Sequence, residues 1–235
     1  MSAWKMVGLT DTGRVREHNE DAIAWNAEQG WAVVADGMGG HHAGEVASAI
    51  AVETIGEMLR QSRASQMLQR AIEQANLQIY AHATSDPEIH TMGTTVVALA
   101  LEEGRLHYAH VGDSRLYRLR DGELTQLTRD HSLVQELVDE GMLEAEQARN
   151  SPQKNVITRA LGLDSGVAVD LGDEAVVDDD CYLLCSDGLS NYLMDEEIAT
   201  LLAGDALPEV VRALVDAANE RGGDDNISVI VVRIW

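Results

Sequence analysis

The stretch that decides the fold, residues 95–127, reads TVVALALEEGRLHYAHVGDSRLYRLRDGELTQL. Two runs with strand-like composition, Thr95–Glu102 and Arg105–His110, are joined by Glu103-Gly104, and the next two runs are joined by Asp121-Gly122. Acid-glycine pairs between short apolar or alternating runs are typical of β-hairpin turns. This stretch therefore predicts consecutive strands that pair antiparallel.

Outside this stretch, the chain shows further groups of strands and helices in pairs. Apolar or alternating runs indicate strands at Trp4–Leu9, Asp21–Asn26, Trp31–Ala35, Arg115–Arg120, Glu123–Leu127, Cys181–Cys185 and Ile227–Val232. Helical periodicity covers Glu45–Arg60, Ser65–Ala83, Asp195–Leu202 and Pro208–Glu220. Hairpins with paired helices and little strict β-α alternation favour a layered α+β sandwich over a doubly wound parallel sheet.

Length and composition predict one globular domain over residues 1–235, with no linker-like segment. The formal net charge is -23, from 40 acidic and 17 basic residues. Such a charge repels nucleic acid and anionic membrane surfaces, so we expect neither as a partner. The acidic excess has two interpretations, a solvated acidic surface or carboxylates gathered around cations.

The N-terminus and the two cysteines bear on the cellular compartment. Met1-Ser2-Ala3-Trp4-Lys5 lacks the charged and apolar regions of a signal peptide, and no apolar run is long enough to span a membrane. We therefore expect a cytoplasmic protein. The spacing of Cys181 and Cys185 inside an apolar segment fits neither a zinc site nor a redox pair, so we expect buried free thiols.

The segment 131–162 differs in texture from the rest of the chain. It combines a short amphipathic stretch, Leu133–Val138, with Gly141, Asn150-Ser151-Pro152 and Lys154-Asn155. Segments of this kind form flaps over a functional site or irregular surface loops. Both interpretations stay open from the sequence alone.

Acidic residues stand beside three of the predicted strands. Asp36-Gly37 follows Ala32–Ala35, Asp187-Gly188 follows Tyr182–Cys185, and Asp224-Asp225-Asn226 precedes the last strand. Any one acid-glycine pair is first of all a plain turn. Three acidic sites at strand ends can converge on one edge of a sandwich, where oxygen ligands suit Mg²⁺ or Mn²⁺.

Seven motifs in one order resemble the protein phosphatase 2C-type (PPM) family, in particular its bacterial branch. They are Arg16-Glu17-His18-Asn19-Glu20-Asp21, Ala35-Asp36-Gly37-Met38-Gly39-Gly40-His41, Gly44-Glu45-Val46-Ala47-Ser48, Met92-Gly93-Thr94-Thr95, Val111-Gly112-Asp113-Ser114-Arg115, Cys185-Ser186-Asp187-Gly188-Leu189 and Gly223-Asp224-Asp225-Asn226. The resemblance implies a four-layer α-β-β-α sandwich, with two central antiparallel sheets flanked by helix pairs. It also implies a dinuclear metal centre at one edge of that sandwich.

The resemblance assigns metal-binding roles by position. Asp36 matches the carboxylate that bridges both cations, and Asp187 and Asp225 match the other ligands of the first cation. Gly37 matches the residue whose backbone carbonyl meets the second cation. The acidic pair that reaches the second cation largely through waters is matched by Glu20-Asp21.

Two further positions match known roles of the family. Asp113, together with Asp187, matches a third metal site described for bacterial members. Arg16 matches the arginine that binds phosphate. The implied cofactors are two Mn²⁺ or Mg²⁺ ions per chain, with the third site as an addition.

The implied activity is hydrolysis of phosphoserine and phosphothreonine in proteins, by direct attack of a water or hydroxide activated at the dinuclear centre. The implied partners are phosphorylated proteins, in bacteria a serine/threonine kinase or its targets, and we expect a monomer. Cys185 offers no alternative nucleophile, since it lacks the glycine-rich loop of a thiol phosphatase. Two rivals remain: a non-catalytic relative without metal, and a hydrolase of a small phosphorylated metabolite.

The sequence leaves two candidates for the group that donates a proton to the leaving alkoxide. Met38 stands where the eukaryotic pattern of the family has histidine directly after Asp-Gly. His41 or His42 offers a general acid instead, and water at the metal centre is the alternative. The candidate catalytic residues are therefore Arg16, Asp36 and His41.

Overall fold

The computed structural model describes residues 3–40, 42–61, 64–85 and 91–235. Along these residues the strands are β1 (Trp4–Asp11), β2 (Asp21–Asn26), β3 (Trp31–Gly39), β4 (Met92–Thr94), β5 (Val96–Glu102), β6 (Arg105–Val111), β7 (Arg115–Arg120), β8 (Glu123–Gln126), β9 (Asp170–Ala175), β10 (Cys181–Cys185) and β11 (Ile227–Ile234). The helices are α1 (Ala43–Gln61), α2 (Ala64–Ser85), α3 (Leu133–Asp139), α4 (Ala145–Arg149), α5 (Asp187–Ser190), α6 (Asp195–Leu202) and α7 (Leu207–Glu220).

Two antiparallel sheets lie at the centre of the fold. One has the strand order β1-β11-β10-β7-β8, and the other has the order β2-β3-β5-β6-β9 with β4 paired to β3. The predicted hairpin turn between β7 and β8 is present, with Asp121 at φ 51° and Gly122 at φ 81°. Positive φ at both central residues is the turn geometry that matches the twist of the flanking strands.

Alternate residues of the central strands face different layers. In β3, Trp31, Val33 and Ala35 pack among the apolar side chains of α1 and α2, whereas Ala32 and Val34 belong to the core between the sheets. This period of two gives each sheet two apolar faces. Helices α6 and α7 cover the five-stranded sheet in the same way. The predicted four-layer α-β-β-α sandwich is confirmed.

Some elements differ from the sequence-based expectation: helices α4 and α5 were not predicted, and three strands differ. Strand β9 is not predictable from hydrophobicity, because its polar, mostly exposed residues form the edge of a sheet. Strand β4 has only three residues, too few to show a pattern. Asp36 was expected at a strand end, and this is wrong. Strand β3 continues to Gly39 because residues 37–39 pair with β4.

The segment 131–162 contains α3 and α4 and is tied at both ends. Ser132 pairs with Ile157, and Leu161 pairs with Thr94 of β4, the strand that pairs with residues 37–39 of β3. The predicted amphipathic stretch forms α3. That this segment is a flap, and that residues 1–235 form a single domain, both stay predictions.

In the part of the chain that the structure describes, no helix combines the length and the apolar character needed to cross a membrane.

Candidate metal centre

Five aspartates predicted as ligands meet at one end of the sandwich, and both sheets contribute to them. Asp21 and Asp36 are directly opposite each other in the β2–β3 ladder. Asp113 lies in the β6–β7 connection, Asp187 begins α5 directly after β10, and Asp225 stands just before β11. Residues that are far apart in the sequence are thus gathered by the stacking of two sheets.

A cavity of about 250 Å³ opens between these elements. The predicted site residues in its wall are Arg16, Glu20, Asp36, Gly37, Asp113, Asp187 and Asp225. Asp21 is buried beside Asp36, and its Oδ2 accepts a hydrogen bond from the Ser186 hydroxyl at 2.8 Å. The structure therefore brings together all of the residues that the sequence predicts as metal ligands.

Two threonines hold the backbone of Asp36. The Thr95 Oγ1 accepts the Asp36 N–H at 3.1 Å, and the Thr94 hydroxyl donates to the Asp36 carbonyl at 2.8 Å. The Thr95 hydroxyl is also hydrogen-bonded to the Ser114 hydroxyl, with 2.7 Å between the two oxygens. Because Ser114 adjoins Asp113, these bonds fix the Asp36 backbone relative to the turn that carries Asp113.

Burial and mutual repulsion raise the pKa values of the clustered carboxyls. The pKa of Asp36 lies well above its usual range because the group is buried and faces four other aspartates. Burial raises the pKa of Asp21 to about 7, that of Asp113 to about 8 and that of Asp187 to about 6. Carboxylates this close resist simultaneous ionisation unless a positive charge compensates them.

The donor set fits hard divalent cations. All the clustered ligand candidates offer oxygen, which is what Mg²⁺ and Mn²⁺ prefer. Asp21 Oδ1 is buried and has no hydrogen-bond partner among the described residues, so this oxygen is available to a cation inside the cluster. Burial also raises the pKa of Glu20 at the edge of the same cavity. Cations would relieve each of these features.

Lack of space requires glycine at position 37. A Cβ there would lie 2.1 Å from the Gly44 carbonyl oxygen and 2.5 Å from the Glu20 carbonyl oxygen. The Gly37 N–H donates to that Glu20 oxygen at 3.1 Å. Only glycine lets strand β3 approach both neighbours so closely, which leaves the backbone of residue 37 at the cavity wall.

Arg16 reaches the cavity from its exposed side. Its Nη2 donates to Asp225 Oδ2 at 2.9 Å, and 48% of the Arg16 side chain is exposed against 28% for Asp225. A guanidinium has five N–H donors in a planar fork, so donors beyond this bond are available to an incoming anion.

The predicted catalytic acid, His41, lies outside the described residues. Its neighbour His42 is exposed and packs edge-on against His18, with 4.5 Å between the ring centroids. This pair links the loop that carries Arg16 to the start of α1.

The two cysteines are buried free thiols, as predicted. Burial raises the pKa of Cys185 to about 12 and also raises that of Cys181. Because the thiolate is the nucleophilic form, a thiol with so high a pKa is inert near neutral pH.

A second cluster of metal-ligand residue types, His110, His131 and Asp170, lies elsewhere in the fold. The His131 Nδ1 accepts the Gly112 N–H at 3.0 Å, so in the neutral ring the proton is on Nε2, which lies 3.3 Å from Asp170 Oδ2. Burial lowers the pKa of both histidines, which favours neutral rings. A cation here would have to displace the Nε2 proton, so this cluster is a poorer metal site than the aspartates.

Sequence reasoning missed several residues that surround the aspartates. Asn155 and Ile157, from the segment 131–162, line the cavity. The Asn191 Nδ2 donates to Asp187 Oδ2 at 2.9 Å. Asp187 begins the short helix α5, and Asn191 follows it by four residues. Residues at this spacing face each other on a helix, so this contact could have been predicted from the sequence. No sequence signal connects Asn155 or Ile157 to the site.

The family model described as protein phosphatase 2C matches residues 12–230. The chain belongs to the protein phosphatase 2C family. Among its similar relatives is the serine/threonine phosphatase stp of Listeria welshimeri, which is 41% identical over 235 residues, with 95% of this chain and 93% of that protein covered. The family predicted from the seven motifs is confirmed.

Solved structures of this family agree with the fold. A serine/threonine phosphatase PstP/Ppp of Mycobacterium tuberculosis superposes with a TM-score of 0.92 at 38% identity, covering 99% of each chain. The catalytic domain of a serine/threonine protein phosphatase PstP in complex with two manganese ions superposes with a TM-score of 0.90 at 36% identity, covering 100% of this chain and 99% of that one.

Proposed function

We propose that this member of the protein phosphatase 2C family is a metal-dependent phosphatase of phosphoserine and phosphothreonine in proteins, working through Mn²⁺ or Mg²⁺ at the aspartate cluster. Bound there, the cations supply activation of water and offset charge on the phosphate oxygens. The observation that carries the proposal is the convergence of Asp36, Asp113 and Asp187 on one small cavity, with Asp21 buried beside Asp36 and the pKa values of all four raised. A non-catalytic relative is disfavoured because each predicted ligand position keeps its oxygen donor.

Within the cluster, Asp36 would be the ligand shared by two cations, and Asp187 and Asp225 would hold the first. The position of Asp36 supports this role, since its carboxyl faces carboxylates from both sheets. The Gly37 carbonyl would bind the second cation, and Glu20 and Asp21 would reach it largely through waters. Asp113 with Asp187 would hold a third cation more weakly. The wall of the cavity supports the last role, since both carboxyls border it.

Arg16 holds the phosphate of the substrate in this proposal. Its guanidinium is half exposed and lies against Asp225 at the same cavity, where N–H groups can meet non-bridging oxygens. A fixed fork of donors restricts the orientation of the phosphate, which contributes to catalysis by alignment. We expect direct hydrolysis without a phosphoenzyme, and the buried thiol of Cys185, whose pKa is raised, excludes a phosphocysteine intermediate.

His41 is the proposed donor of the proton to the serine or threonine alkoxide. In the sequence it stands two residues after Gly39, which lines the cavity, and two residues before the start of α1. We expect His41→Ala to slow hydrolysis of an ester with a poor leaving group much more than one with a good leaving group. Equal rates for the variant and the parent chain on the poor leaving group would remove His41 from the mechanism.

The natural substrates we propose are a phosphorylated serine/threonine kinase or its targets, and the chain acts as a cytoplasmic monomer. The metal centre would bind the phosphate group and not the molecule attached to it, so a small phosphorylated metabolite is the rival substrate. Side-by-side rates on phosphothreonine peptides and on phosphorylated sugars separate the two. Faster turnover of the sugars would contradict a protein substrate.

The experiment that tests the function is phosphate release from a phosphothreonine peptide. We expect release with Mn²⁺, none with excess chelator, and full recovery when Mn²⁺ is restored, because the aspartate cluster needs cations to act. Absence of release on every phosphopeptide tried, with Mn²⁺ bound, would sink the proposal and favour a binding module.

A further inference from the structure

The loop that joins β1 to β2, residues 12–20, brings Arg16 and Glu20 to the cavity without regular secondary structure. Residues 14–18 of this loop are exposed, so little apolar packing holds them. The position of such a loop depends on where its backbone hydrogen bonds go. Those bonds therefore determine where the Arg16 guanidinium stands.

One buried side chain, that of Asn226, supplies three of these bonds. Its Nδ2 donates to the carbonyl oxygens of Thr12 and His18, each at 2.9 Å, and its Oδ1 accepts the Glu20 N–H at 2.7 Å. Only 3% of Asn226 is exposed. Because Thr12 and His18 stand on either side of Arg16 in the sequence, one amide group fixes both ends of the arginine-bearing stretch.

The same residue connects this loop to the aspartate cluster. The Asn226 N–H donates to Asp225 Oδ1 at 2.9 Å, while Asp225 Oδ2 accepts from Arg16. On the other side, the carbonyl of Glu20 accepts the Gly37 N–H at 3.1 Å. The loop that carries Arg16, the Asp225 carboxylate and Gly37 of strand β3 are thus joined by hydrogen bonds around Asn226.

The chemistry of these bonds requires a carboxamide of this length. Asparagine offers two N–H donors and an acceptor oxygen on one short side chain. Aspartate lacks the donors, and glutamine is one methylene longer. We infer that Asn226 is a positioning residue that sets where Arg16 meets the substrate phosphate, an inference that rests on the proposed function.

The test is a double-mutant cycle of Asn226→Ala and Arg16→Ala, measured as phosphate release from a phosphothreonine peptide at saturating Mn²⁺. We expect each single variant to lose about tenfold or more in kcat/KM, chiefly through KM, because a misplaced or missing guanidinium binds phosphate poorly. Since Asn226 acts through Arg16, the double variant loses no more than about threefold beyond Arg16→Ala alone. Calorimetric titration of Asn226→Ala with Mn²⁺ gives an affinity close to that of the parent chain.

Asn76→Ala is the matched control. Asn76 is 1% exposed and also bridges backbone groups, donating to the Asp164 carbonyl at 3.0 Å and accepting the Gly162 N–H at 2.8 Å. We expect it to lower the melting temperature while leaving KM unchanged, which separates positioning from the general effect of losing a buried amide.

Two outcomes would overturn the inference: losses that multiply fully between Asn226→Ala and Arg16→Ala, or an equal rise in KM for Asn76→Ala. If Asn226→Ala does not fold, Asn226→Ser, which keeps one small polar group, enters the same cycle. A parent chain that releases no phosphate would instead count against the proposed function, so the two failures are distinguishable.

Discussion

We expect an Asp36→Asn chain to lose on the order of a thousandfold or more in kcat at saturating Mn²⁺. Asp36 faces the carboxyls of Asp21, Asp187, Asp113 and Asp225, and in our proposal it is the ligand that both cations share. The amide keeps the shape of the side chain but removes its charge. Phosphate release from a phosphothreonine peptide, measured over a range of Mn²⁺ concentrations, checks the loss.

Stability provides the control for this variant. Without metal, Asp36→Asn relieves repulsion in the cluster, so the chelated variant melts at a higher temperature than the chelated parent. The comparison variant is Asp180→Asn. Asp180 is fully buried and paired with Arg120, with 2.6 Å between Nε and Oδ1. We expect the Asp180→Asn chain to be less stable than the parent chain but to have the same kcat. Retention of more than about a tenth of kcat by Asp36→Asn would contradict the shared-ligand role.

Removal of metal makes the stability of the chain depend on pH. The pKa values of Asp187, Asp21 and Asp113 are raised to about 6, about 7 and about 8 in the folded state without metal. The folded chain therefore binds more protons than the unfolded chain, in which aspartate titrates at about 3.9. The resulting stability is fully present below about pH 4 and is lost as the pH rises to about 8.

Mn²⁺ takes over the role of these protons, so the stabilisation that it provides grows with pH. At about pH 8 we expect Mn²⁺ to raise the melting temperature by on the order of 10 °C over the chelated chain, and at about pH 5 by much less. Thermal unfolding followed by circular dichroism measures both conditions. Asp173→Asn, which alters an exposed carboxylate paired with Arg105, serves as the control and keeps the full response. A manganese effect that is the same at both pH values would show that the aspartates do not bind the metal.

The sequence predicts the layers and most ligand positions, for identifiable reasons. The hairpins of residues 95–127 carry their turn signals locally, and the buried strands alternate between two apolar environments. Asp36, Asp187 and Asp225 stand beside predicted strands, so their convergence is predictable once two stacked sheets are assumed. The roles of Glu20, Asp21 and Asp113 were predicted only from the family resemblance.

Other parts of the site depend on contacts that leave no local pattern. Strand β9 is polar because it forms a sheet edge, and only its pairing with β6 defines it. Asn226 stands next to a predicted ligand, yet its three partners are more than 200 positions away in the chain, as the separations of 206, 208 and 214 residues show. Such separations are resolved by tertiary structure alone.

The pairing of the first strand with the last has a consequence for biosynthesis. Strand β11 lies between β1 and β10. It pairs with β1 over its whole length, with Ile234 opposite Trp4 at one end and Ile227 opposite Asp11 at the other. During translation, β1 therefore has no partner strand in its sheet until β11 has emerged from the ribosome. The five-stranded sheet is completed after the six-stranded one. Asp225 and Asn226 enter the site in that same final step. We therefore expect phosphatase activity only after β11 has been synthesised.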